Sequence, residues 1–418
     1  MDYSVFPPEE IIEATVELPL SKSIAARVLT INAIAKNPLP KLPHDVADDI
    51  TLIGKGLYAQ NSECINVEGS GTALRFLTAF YAGCPGKEIT LDGSQRIRQR
   101  PMRQLVDSLK QLGAKIEYLD AEGFAPLKIY GRRLQGGKIE IDATISSQFI
   151  SALLLIAPYM IDGLELKLEG DAVSKPYIDM TVELMKQYGA EVSFEQNLAK
   201  VEPSLYCVDS LYEEKDWSAS AFWAEIVALS AGFVSLPSLT LHSLQGDTKV
   251  TEFFGRLGVN FTEAEECEGI ELCGDPEIFA HIDLDLSAHP DLAMSIAVTC
   301  CLLNIPFHLT GLDTLRLKET DRIEALHNEL LKLGCITEIS PSSIAWEGRF
   351  YPISQLPVID TYNDHRIAMA FAPAALLIPG IVIRNVEVVG KSYPDFWRQL
   401  ETAGFTLQEY LPQDAVGQ

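Results

Sequence analysis

The stretch LRLKETDRIEAL, Leu315 to Leu326, sets two cations, Lys318 and Arg322, on either side of the carboxylate Glu319. Ile323, Leu326, Leu330 and Leu333 recur at helical spacing, which predicts a helix start here with Thr320 as N-cap and Asp321 in the first turn. A helix N-terminus carries partial positive charge, so two cations beside it require an anion. Other cations sit in similar phrases: Lys22, within SKS, and Arg27 flank the first such helix start, Arg75 lies one turn into the helix after GSGT, and Arg366 and Lys391 come late. Arg96, Arg98, Arg100 and Arg103 crowd GSQRIRQRPMR, where a solvated basic face is the plainer reading. A guanidinium meets phosphate or carboxylate with two hydrogen bonds, so a ligand with several anionic groups accounts for such a set. Asp291, Glu319, Asp321 and Asp364 are the carboxylates near these cations. For Asp321 helix capping is the strong reading. In a cation-balanced cleft, a carboxylate such as Asp291 or Glu319, or a lysine, can exchange protons with a ligand.

The rest of the composition makes the cations conspicuous. Lys and Arg number 33 against 58 Asp and Glu, a net charge of −25, which disfavours nucleic acid and anionic membrane as partners. With 418 residues, the chain exceeds one ordinary core and predicts two domains or more. The acidic N-terminus lacks a basic leader, and no apolar run approaches the roughly 18 residues needed to span a bilayer, so a cytoplasmic protein is expected. Eight cysteines form no CxxC, and buried reduced thiols are expected for most of them. Seven histidines form neither HxxxH nor HExxH, which gives a zinc site little support. SKS lacks the GxxxxG of a Walker loop and GSGTAL lacks the third glycine of a dinucleotide fingerprint, so neither ATP nor NAD is implied.

The elements that must position these residues recur. Five phrases, LVDSLKQLGAKIEY, TVELMKQYGAEVSF, VTEFFGRLGVNFTE, LHNELLKLGCITEI and FWRQLETAGFTLQE, each read as an amphipathic helix, a glycine cap and a strand. The capping glycines are Gly113, Gly189, Gly258, Gly334 and Gly404, at intervals of 76, 69, 76 and 70 residues. Between them lie six nearly all-apolar helices, starting near Ile24, Ala73, Phe149, Ala219, Leu292 and Arg366, which predict burial in domain interiors. DDITLIGKGLYAQ is the remnant of a degraded amphipathic helix in the first repeat. Each buried helix is preceded by small or polar residues: SKS, GSGT, SSQ, DWS, HPD and YNDH. Plain capping explains any one of them. Six together could also bring several helix dipoles to one anion-rich site.

LSKSIAAR, GSGTALR, RQRPM, SSQFISALL, SKPYIDMT, PDLAMSIA, LKETDR, NDHRIAMAFA and GKSYPDFW occur in that order over nearly the whole chain. This ordered set resembles the 5-enolpyruvylshikimate-3-phosphate synthase family. The resemblance implies an α/β (α+β) fold of two similar domains, each of three strand and helix units with the helices inside, an inside-out α/β barrel. It places residues 1–20 with 214–418 in one domain and residues 21–213 in an inserted one, with the active site in the cleft between them. The reaction it implies moves the enolpyruvyl group of phosphoenolpyruvate to the 5-hydroxyl of shikimate 3-phosphate, by addition and elimination, without metal or cofactor. Lys22, Gly71, Arg100, Gln148, Arg322, Arg366 and Lys391 would hold phosphoenolpyruvate. Ser23, Arg27, Ser146, Ser147, Gln148, Ser174, Tyr177, Asp291, Thr314 and Lys318 would hold shikimate 3-phosphate. Asp291, Glu319, Lys22 and His365 are the implied catalytic residues, with Asp291 near the hydroxyl and Glu319 and Lys22 near the methylene. Monomer is the expected state, because the repeats bury their own faces.

Three positions depart from the family pattern: Leu20 where Gly often precedes SKS, Gly69 where Asn is usual, and Thr314 where many members carry a longer polar residue. The last two bear on hydrogen bonds to substrate, and Leu20 on the interdomain crossover. The rival readings are enolpyruvyl transfer to a nucleotide sugar and a noncatalytic anion-binding protein of the same fold. The first usually brings a catalytic Cys on a loop corresponding to residues 92–103, which here has none. The second has no need for Asp291 and Glu319 together.

Overall fold

The structure is a computed structural model that describes residues 1–43, 46–264 and 268–411. By its internal contacts the chain divides into two compact units, Met1–Leu20 with Glu214–Gln418, and the insert Ser21–Glu213. The six apolar phrases form six buried helices. Lys22–Ile34, Gly71–Ala82 and Ser147–Ile156 lie in the insert; Trp217–Ser230, Ala293–Leu302 and His365–Phe371 lie in the other unit. Within each unit the three helices pack against one another, and the sheets are laid against them. A helix apolar on nearly every side has no solvent face to keep, so it goes to the middle. Trp217 and Trp223 on one of them are fully buried, each burial worth on the order of 1.5–3 kcal/mol.

The five capping glycines follow the helices Arg103–Gln111, Lys175–Gln187, Val250–Gly255, Arg322–Lys332 and Phe396–Thr402. Their φ angles lie between 84° and 103°, the left-handed region in which a Cβ is strained. DDITLIGKGLYAQ becomes the helix Asp48–Leu57.

Among the described residues there are five four-stranded sheets of one topology, and none closes on itself. In each, two parallel strands are followed by two antiparallel ones. Ile282–Asp285 pairs parallel with Phe307–Thr310, which pairs antiparallel with Ile344–Trp346, and that with Glu338–Ile339. A parallel pair needs a long crossover, and Gly71–Ala82, Ser147–Ile156, Ala293–Leu302 and His365–Phe371 each supply one, starting a few residues beyond the end of a strand. That is the position from which polar residues at a helix start can present backbone N–H groups to a ligand.

Two irregularities mark the repeats. The last sheet is completed by the N-terminal strand Tyr3–Phe6, which pairs antiparallel with both Ile381–Ile383 and Thr406–Glu409. The first repeat contributes two helices but no sheet among the described residues, so the insert has two sheets and the other unit three. The strand upstream of SKS, Glu13–Thr15, pairs instead with Phe233–Pro237. At the crossover, Leu20 and Lys215 form an antiparallel bridge, reinforced by the Asp216 amide donating to the Pro19 carbonyl at 2.9 Å. Cys300, Cys301 and Cys335 are buried, but Cys64 and Cys207 are exposed and Cys84 and Cys273 half-buried, so burial holds for fewer thiols than expected. Cys267 lies outside the described residues. No helix among the described residues is long and apolar enough to cross a membrane.

Candidate active site

In the discontinuous unit the site is organised by Arg322, the first residue of the helix Arg322–Lys332. Asp321, not Thr320, is the N-cap, its carboxylate accepting from the Glu324 amide at 3.2 Å. An ionised Asp suits the positive helix end better than a hydroxyl does. Arg322 is 2% exposed, and its guanidinium reaches three carboxylates. Nε and Nη2 donate to Asp364 at 2.6 and 3.1 Å, Nη2 also to Glu319 at 2.9 Å, and Nη1 to Asp291 at 2.7 Å. The anion required by that helix start is thus supplied by the protein's own acids.

Asp291 is shared further. Lys318 Nζ lies 3.2 Å and Arg366 Nη2 3.5 Å from its carboxylate, and Arg366 Nη1 donates to its carbonyl at 3.2 Å. Burial alone would raise its carboxyl, but Lys318, Arg366 and Arg322 outweigh that and the repulsion of Glu319, holding it well below the usual carboxylate range. Burial would lower the Arg322 guanidinium, yet Asp364, Glu319 and Asp291 hold it well above its ordinary value. Asp364 caps the helix His365–Phe371 through the Arg366 amide at 3.0 Å. His365 is buried, with Nδ1 3.8 Å from Asp364. Lys391 donates to the Asn363 carbonyl at 2.6 Å, one residue from Asp364. The Thr314 hydroxyl is buried and makes no hydrogen bond among the described residues.

The insert holds a second set. Arg27, 2% exposed, is bonded among the described residues only to neutral oxygens: the hydroxyls of Thr181 at 2.7 Å and Ser151 at 3.1 Å, and the carbonyls of Ser23 at 2.7 Å and Tyr177 at 3.0 Å. Phe76 and Tyr177 lie against it. Burial pushes its guanidinium down to about 10. Tyr177 and Ser174 sit at the start of the helix Lys175–Gln187, with Ser174 held at a left-handed φ of 53°, a strained conformation for a non-glycine residue. At Gly71, the start of the second buried helix, a Cβ would lie 2.3 Å from Arg75 and 2.4 Å from Arg100, so only glycine lets the two guanidiniums approach the helix end. Gln148 accepts from Arg75 at 3.0 Å and donates to Thr72 at 3.1 Å, and it follows Ser146 and Ser147 at the next helix start. Lys22 pairs with Asp49 at 3.2 Å.

The helix starts divide into two kinds. Ser70, Asp216 and Asp364 cap their own helices, but no side chain caps SKS, SSQ or HPD. The arginine run also splits. Arg98 is paired with Asp92 at 2.5 Å and Arg103 with Glu122 at 2.6 Å on the surface, whereas Arg100 is buried at Gly71.

A family model described as EPSP synthase (3-phosphoshikimate 1-carboxyvinyltransferase) matches residues 42–400. A protein of Bacteroides fragilis named 3-phosphoshikimate 1-carboxyvinyltransferase is 46% identical over 413 residues, covering 98% of this chain and 99% of that one. The chain belongs to the EPSP synthase family. A Haemophilus influenzae protein of the same name is 33% identical over 96% of this chain and 99% of its own. The solved EPSP synthase of Acinetobacter baumannii shares the fold, with a TM-score of 0.72 at 20% identity over 98% of this chain and 100% of that one. The sequence names Asp364 and Arg75 without their partners and passes over Asp49; all three hold the site from behind, Asp364 on Arg322, Arg75 on Gln148 and Asp49 on Lys22. Arg75 had a signal, since it lies four residues past Gly71 and so on the same helix face. Asp364 had little, being 42 residues from Arg322 in the chain.

Proposed function

We propose that this chain is a 3-phosphoshikimate 1-carboxyvinyltransferase, which adds the 5-hydroxyl of shikimate 3-phosphate to phosphoenolpyruvate and then expels phosphate. What supports this most directly is the Arg322 cluster, where Asp291 and Glu319 are held side by side among Lys318, Arg322 and Arg366. The hydroxyl must lose a proton as it attacks, and the methylene carbon must gain one and later return it. Two carboxylates of different environment suit two such tasks.

Asp291 with three cations around it is a weak base. A phosphorylated carboxylate docking on Lys318 and Arg366 draws those cations toward itself and restores basicity to Asp291. Binding thereby switches on the base only where its substrate is present. Glu319 and Lys22 serve the methylene carbon. Arg100 with the Gly71 amide, Gln148 and Lys391 hold phosphoenolpyruvate; Arg27, Ser23, Ser146, Ser147, Ser174, Tyr177 and Thr314 hold shikimate 3-phosphate.

A phosphate-release assay tests this. Purified protein is expected to release phosphate from phosphoenolpyruvate only when shikimate 3-phosphate is present. Release with a nucleotide sugar instead would replace the acceptor, and no release with either would leave an anion-binding protein.

A further inference from the structure

Asp247 is nearly buried, 3% exposed, in the short turn Gly246–Lys249, and no part of the proposed reaction uses it. One of its carboxylate oxygens accepts from the Ser218 hydroxyl, at the start of the helix Trp217–Ser230. The other lies 3.6 Å from Nδ1 of His289, just beyond hydrogen-bond reach. His289 is itself buried, Phe253 meets its ring edge-on with centroids 6.0 Å apart, and its Nδ1 makes no hydrogen bond among the described residues.

Two facts make this contact consequential. The backbone of His289 forms the turn that presents Asp291: its amide donates to the Leu286 carbonyl at 2.9 Å, and its carbonyl accepts from Leu292 at 3.1 Å. A rotation of His289 therefore turns Asp291, which lies between those bonds. The segment before Asp247 is fastened to the crossover. Gln245 accepts from the Trp217 amide at 3.1 Å and donates to Glu214 and to the Lys215 carbonyl, both at 2.7 Å, while Glu214 also accepts from the Leu244 amide at 3.0 Å.

We propose that Asp247 is a positioning residue for Asp291, acting through His289 and anchored by Ser218 to the chain segment that re-enters this unit. It aims the carboxylate that takes the hydroxyl proton without touching substrate. The inference rests on the proposed reaction.

A double-mutant cycle in the full chain tests it, with phosphate release, KM for each substrate and Tm measured for Asp247→Asn, His289→Asn and the pair. Asp247→Asn keeps the shape and an acceptor for Ser218 but removes the charge beside His289. It is expected to lower kcat by about tenfold or more, as small misplacements of a reacting group do, with both KM values within about twofold. Because both residues act on one turn, the double variant is expected to be no slower than the slower single one. Unchanged kcat in Asp247→Asn, losses that multiply in the double variant, or a rise in KM without a fall in kcat would each overturn the proposal. Should Asp247→Asn not fold, Ser218→Ala removes the other hold on the same carboxylate; it is expected to lower kcat in the same sense, and an unchanged kcat there overturns it too. Wild-type protein in the same assay separates the two levels, since its failure to turn over refutes the reaction and not the positioning.

Discussion

Arg27 in the insert and Arg322 in the other unit are both 2% exposed, yet their surroundings are opposite. Arg322 is bonded to Asp364, Asp291 and Glu319, so its charge is more than met. Arg27 is bonded to two hydroxyls and two carbonyls, which solvate its N–H groups and leave its charge unneutralised. Burying a cation without an acid is costly, and burial accordingly lowers the Arg27 guanidinium to about 10 while the acids around Arg322 raise it. The difference separates two jobs that one residue type can do. Arg322 gathers and aims carboxylates; Arg27 keeps a deficit of negative charge for a ligand to fill. Any hold of Arg322 on a substrate carboxylate has to be shared with three acids already there.

The largest expected effect comes from Glu319→Gln. Turnover should fall by about 10²- to 10⁴-fold with substrate affinity nearly kept, and Tm should move little because Asp291 and Asp364 still balance Arg322. Steady-state kinetics with calorimetric titration reads both, and near-normal turnover would remove Glu319 from the proton transfers. Arg322→Met comes next. Removing the cation that Asp364, Asp291 and Glu319 share should cost about 3–5 kcal/mol in urea unfolding at neutral pH, and less as acid protonates them.

Arg27→Met should behave in the opposite way, with stability unchanged or raised by about 1 kcal/mol and affinity for shikimate 3-phosphate reduced about tenfold. The lowered folded-state value sets the sign. From about 10 up to the ordinary guanidinium value the folded protein binds fewer protons than the unfolded chain, so the cost of Arg27 fades as pH rises through that window. A clear loss of stability in Arg27→Met at neutral pH would break the comparison. The smallest effect concerns acid. The Asp291 carboxyl is held below its ordinary 3.8, so its contribution is present above that value and lost as pH falls through the range below it. Urea unfolding of wild type and Asp291→Asn should differ by a constant amount near neutrality and converge in acid.

Much of this was legible in the chain because repetition makes weak signals add. Gly113, Gly189, Gly258, Gly334 and Gly404 all take positive φ, and all six apolar phrases are buried helices. A capping glycine and an apolar helix are local features, fixed by a dozen neighbouring residues. What stayed hidden depends on partners distant in sequence. Capping alone could not distinguish Ser70, which caps its helix, from Ser21, whose buried hydroxyl makes no hydrogen bond among the described residues. Nor could composition show that Arg98 turns to Asp92 on the surface while Arg100, two residues on, turns inward to Gly71. The missing sheet of the first repeat has the same origin, since the strand Glu13–Thr15 pairs with Phe233–Pro237 from beyond the insert.

The strand Tyr3–Phe6, paired on both sides by residues 381–383 and 406–409, also sets an order of events in synthesis. It is made about 375 residues before its partners, so through that interval it is an extended segment with both edges bare. The two sheets of the insert draw no strand from outside Ser21–Glu213 and can form while the rest is still being made. The three-sheet unit cannot close its last sheet until residues 406–409 have been released. Holding those distant ends together costs only logarithmically more than a short loop would, about 0.6 kcal/mol per doubling of length. The topology therefore delays completion of the unit that carries Asp291 and Glu319 far more than it destabilises it.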